Sequence, residues 1–128
     1  MRGETSRRSW ILAVMGKRPV SVLIVAVVYL VVGVIGFGYH FPELTAGHRD
    51  AIAIELTELT AVIAGVALLM RKNWARWLAL AWVVFHVLIS LFHPLRELLV
   101  HAALCVLIAW LLFQPATARW FKEFRAKS

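Results

Sequence analysis

Apolar residues run through this chain in four long blocks with short polar clusters between them. A hydrocarbon core of about 30 Å asks for roughly 20 residues of helix. At that window the blocks fall at about 20–39, 51–70, 74–93 and 95–113. The first, VSVLIVAVVYLVVGVIGFGY, is rich in β-branched residues that favour strands in water. In lipid a lone strand leaves its backbone unpaired, so the block reads as a helix. Its Gly33, Gly36 and Gly38 form a small-residue patch that another helix can approach closely. Asp50 has the chemistry of an N-cap for the second helix, and Asn73, within RKNWARW, begins the third. Only HPL parts the third and fourth blocks, and Pro94 suits the first turn of a helix, which makes an antiparallel hairpin. The expected fold is all-α: a four-helix transmembrane bundle, up-down-up-down, in a single integral membrane domain over residues 1–128.

Composition agrees with lipid as the main solvent. The chain is 62% hydrophobic with a mean hydropathy of +0.79. A soluble domain of this size buries only about 60–70% of the surface its unfolded chain exposes, too little to hide so much apolar area. A net charge of +7 is compatible with nucleic-acid binding, but the basic residues sit between apolar blocks rather than along one face, so no nucleic-acid partner is expected. They read better as orientation signals. Five Lys and Arg precede the first block, Arg71, Lys72 and Arg76 cluster where the second block gives way to the third, four follow the fourth, and only Arg49 and Arg96 fall at the other two junctions. That asymmetry places both termini in the cytoplasm, in a multi-pass protein of the bacterial inner membrane. Trp10, Trp74, Trp77, Trp110 and Trp120 fall on the same side, as an interfacial belt, and only Trp82 lies deeper. The Arg7-Arg8 pair resembles a twin-arginine export signal, but the apolar run after it is too short for one. Cys105 is alone, which excludes an internal disulfide or CxxC chemistry, and it reads as a small packing residue.

Polarity inside the blocks is confined to the other end. All five histidines and five of the seven acidic residues lie in the outer loops or outer halves of the helices. Counting from each outer helix end, Glu58, His86 and His101 share a layer roughly 11 Å deep at 1.5 Å per residue. Glu55, Ser90 and Glu97 form a second layer, with His93 at the mouth and Arg96 beside it; His40 and His48 read as solvated loop residues. Glu97, His101 and Cys105 recur at every fourth position, and His86, Ser90 and His93 share a face with Trp82. Turned inward, these stripes meet in one pocket. An ionised carboxylate facing lipid costs several kcal/mol, so the acids are protonated, paired or wet.

Several chemistries fit such a cluster. Glu55, Glu58, His86, Glu97 and His101 are candidate ligands for a transition metal or a proton-linked solute, with Glu58, His86 and His101 as the metal core and His93, Ser90 and Arg96 as a rim. Haem needs the closely packed hairpin helices to splay, and a quinone head group suits the same side chains. The competing reading is structural: the cluster ties helices together with no ligand, in a homo-oligomer or an accessory subunit of a larger membrane complex. No nucleophile motif marks an enzyme, and no catalytic residue is assigned.

The stretch VALLMRKNWARWLALAWVVFHVLISLFH, with GFGYHFPEL before it and ELLVHAALCVLIAWLLFQP after it, resembles a group of small bacterial four-helix membrane proteins. The likeness covers roughly residues 19–115 and implies four spans but no activity. A looser similarity to DoxX-like proteins extends only to length and hydropathy.

Overall fold

A computed structural model describes residues 3–8 and 18–127. Its main elements are five helices: α1 (Val20–Thr45), α2 (Arg49–Leu69), α3 (Trp74–Ser90), α4 (Leu95–Phe113) and α5 (Pro115–Lys127). There is no strand among the described residues. By length and hydropathy α1, α2 and α4 can each cross a membrane, while α3 is a shorter apolar helix of 17 residues. The large exposed side chains on these helices, such as Val34, Ile35, Leu88 and Val106, are apolar, which suits a lipid environment.

Helix ends depart from the hydropathy blocks for identifiable reasons. The first helix continues through Pro42 to Thr45. Proline leaves the Gly38 carbonyl without its helical donor, which is tolerable because Gly38 is exposed. His40 therefore lies on a helix rather than in a loop, 3.5 Å from Glu43 one turn on. In α3 the helix stops at Ser90 instead of 93. Leu91, Phe92 and His93 donate to carbonyls three residues back, a tightening expected where Pro94 disfavours helical geometry in the residue before it. Pro94 itself caps α4 from outside. His48, not Asp50, is the N-cap of α2; Asp50 sits in the first turn, where its charge complements the helix dipole. Asn73 precedes α3, but its side chain accepts from Arg76 Nη1 at 2.9 Å rather than capping backbone amides.

Glycine sets the closest helix pair. A Cβ on Gly33 would lie 2.8 Å from the Glu58 carbonyl oxygen and 2.9 Å from the Val62 nitrogen, so α1 and α2 touch backbone to backbone there. On the other side of the pair, Gly65 faces Leu30 and the Ala26 carbonyl. Residues late in α1 thus meet residues early in α2, an antiparallel pair. Gly38, expected to share this patch, faces open space. Trp77 against Phe113 and Ser90 against His101 align α3 and α4 the same way. Between the pairs, Tyr29 of α1 donates its hydroxyl to the Ala79 carbonyl of α3.

The fifth helix has no counterpart in the apolar pattern. It folds back on the arginine-rich end of the bundle and buries Thr117, Trp120 and Phe121. Three arginines that read from sequence as orientation signals hold this end. Arg18 donates to the Leu69 carbonyl at the end of α2, which takes up an otherwise unpaired terminal carbonyl. Arg71, in the left-handed region at φ 65°, donates to the Trp120 carbonyl and lies over its indole. Arg76 is buried against the rings of Phe113 and Phe121. Ser21 and Thr117 hydroxyls meet at 2.9 Å, joining α1 to α5. Trp120 is therefore packed rather than part of an interfacial belt; Trp74, Trp77 and Trp110 remain exposed, and Trp10 lies outside the described residues.

Candidate functional site

The polar residues of the opposite end divide into two groups. The first is histidine-based and lies between α3 and α4. The His86 and His101 ring centroids are 5.9 Å apart. His86 Nδ1 donates to the Trp82 carbonyl at 2.9 Å, because a carbonyl can only accept. Ser90 donates its hydroxyl to the His86 carbonyl at 2.7 Å, which leaves its oxygen to accept from His101 Nδ1, also at 2.7 Å. The same His101 proton is shared with the Glu97 carbonyl at 2.9 Å. Both imidazoles are thereby fixed with hydrogen on Nδ1. Ser90 is buried, so this small network is a joint between the helices.

Around it, Trp82 stacks on His86 with centroids 3.9 Å apart and donates its indole N–H to the Thr57 carbonyl at 2.8 Å. Tyr29 also lies against Trp82, with ring centroids 5.0 Å apart. An aromatic string therefore runs from α1 through α3 to α4. The hydroxyls of Thr57 and Thr60 turn back to carbonyls of their own helix and line a shallow groove of about 220 Å³ between α2 and α3.

The second group is acidic and lies on α2, with Glu58 turned toward α1. Glu55 is 5% exposed, and both of its carboxyl oxygens are buried without a hydrogen-bond partner. One turn on, the Glu58 carboxyl fills the notch left by Gly36: a Cβ there would overlap it. Glu58 Oε2 is likewise buried and unpartnered. His40, one turn beyond Gly36 on α1, is close enough to interact electrostatically with Glu58. Sequence reading placed His40 in solvent and so missed it; the signal was its spacing of four from Gly36.

The structure thus joins His86, Ser90 and His101, and separately sets Glu58 against α1 with Glu55 buried one turn before it. Among the described residues no hydrogen bond or ion pair connects the two groups. Glu97 is not in an inner layer. Its side chain is 44% exposed and lies 3.4 Å from His93, while Arg96 is exposed beside them. Among the described residues no three His, Cys, Asp or Glu side chains are grouped so as to hold a metal ion, so Glu58, His86 and His101 are not assembled as a metal centre. Cys105 is half-buried against the core, as a packing residue is.

No family model, curated protein or solved structure matches the chain. Its likeness to small bacterial four-helix membrane proteins remains one of pattern.

Proposed function

We propose that this is a multi-pass protein of the bacterial inner membrane, an up-down-up-down bundle with both termini cytoplasmic, in which Glu55 and Glu58 exchange a proton as the binding step for a solute. The observation that carries this reading is Glu55, a buried carboxyl with neither oxygen bonded. Structural polar groups in apolar surroundings are hydrogen-bonded, since an unbonded one costs about 1–3 kcal/mol. A second acid one turn away, with an imidazole within electrostatic reach of it, supplies further groups that can take a proton. Transition-metal binding has less support, because such sites need about three or more converging donors and the described residues bring no three together.

A test follows detergent-solubilised protein with an indicator dye in weak buffer after an acid pulse. Wild type takes up more protons than Glu55→Gln. Equal uptake overturns the proposal.

The second reading, an accessory subunit whose polar residues only tie helices, is favoured by one specific observation. The His86–Ser90–His101 joint uses both Nδ1 protons within the chain and ties α3 to α4 with no ligand between them. On that reading a partner membrane protein co-purifies with the chain, and Glu55→Gln leaves proton uptake unchanged.

A further inference from the structure

An apolar groove of about 340 Å³ runs along the surface of α2 toward the arginine-rich end, starting one turn beyond Glu58. It extends from Val62 past Ile63 and Val66 to Met70, and Lys72 and Trp74 close its end. The eight residue steps from Val62 to Met70 correspond to about 12 Å of helix. One leaflet of a 30 Å core is about 15 Å thick, so the groove has the length of a single acyl chain within one leaflet. Ile63, Val66 and Met70 are exposed along it.

The chemistry changes only at the mouth. Lys72 is exposed, and its ammonium has no hydrogen bond or ion pair among the described residues. Neighbouring cations are already committed: Arg71 to Trp120, Arg76 to Asn73 and two phenyl rings, Arg18 to the Leu69 carbonyl. Trp74, 52% exposed, stands beside Lys72 at the depth where an indole sits among head groups. An apolar channel of leaflet length ending in one uncommitted cation and an indole is complementary to an anionic phospholipid.

We propose that this groove binds an anionic phospholipid, with an acyl chain along Val62–Met70 and the phosphate at Lys72. The site is independent of the proton-exchange reading, since none of its lining residues belongs to the acid pair.

The test uses full-length protein reconstituted in vesicles with brominated phosphatidylglycerol or brominated phosphatidylcholine, which quench nearby indoles. The Trp74 contribution is the difference between wild type and Trp74→Phe. One lysine at an anionic surface corresponds to about fivefold in affinity. The expected result is that phosphatidylglycerol competes for the Trp74 position about fivefold better than phosphatidylcholine, and that Lys72→Gln, an exposed change the fold tolerates, brings the ratio close to unity. Equal competition by the two lipids in wild type, or a ratio that Lys72→Gln leaves unchanged, overturns the proposal.

Discussion

Gly33→Ala lowers stability by about 2–3 kcal/mol, at the upper end of what overpacking costs, whereas Gly36→Ala lowers it by less than about 1 kcal/mol. The two glycines are three residues apart on one helix face, and the difference lies in what each would strike. At Gly33 a methyl group meets backbone atoms of Glu58 and Val62, which move only if the helices separate. At Gly36 it meets the Glu58 carboxyl, the far end of a flexible chain that can rotate away. Gly36→Ala therefore acts on the site and Gly33→Ala on the fold. Equilibrium unfolding of reconstituted protein separates them; equal losses at both positions would contradict the backbone contact described for Gly33.

Glu55→Leu has the second large effect, and its sign distinguishes the two functional readings. If Glu55 served the fold, its loss would be destabilising. An unbonded buried carboxyl instead opposes folding, so a leucine of similar length raises stability by about 1–3 kcal/mol and lowers proton uptake below that of wild type. Functional residues commonly show this exchange of stability for activity. The same unfolding measurement checks it, and a marked loss of stability in Glu55→Leu would favour the structural reading.

Much of the fold was legible because lipid makes hydropathy a strong signal. The boundaries of α4 match the fourth apolar block, and α1 and α2 differ from theirs only at the ends. The extension of α1 past Pro42 was hidden because proline usually marks an end, yet an exposed carbonyl there costs little. The fifth helix was missed because a hydropathy window weighs its lysines and arginines and not the spacing of Thr117, Trp120 and Phe121, three and four residues apart behind Pro115. The sequence puts His86 and Ser90 on one face and, through the tight hairpin turn, His86 and His101 at one depth; in the structure Ser90 bonds His101 across the hairpin. Depth does not fix rotation between helices, and so the same argument placed Glu55 and Glu58 with the histidines. The glycines of α1 decide otherwise: the space left at Gly36 draws Glu58 toward α1.

The central claim is that Glu55 holds an exchangeable proton in apolar surroundings. Infrared difference spectroscopy across a pH titration reads this directly, because a protonated carboxyl has a carbonyl stretch that its ionised form lacks. The account predicts a carboxyl band in wild type that appears and disappears with pH and is absent from Glu55→Gln. A wild-type spectrum with no titrating carboxyl band, or one that Glu55→Gln leaves unchanged, would contradict it.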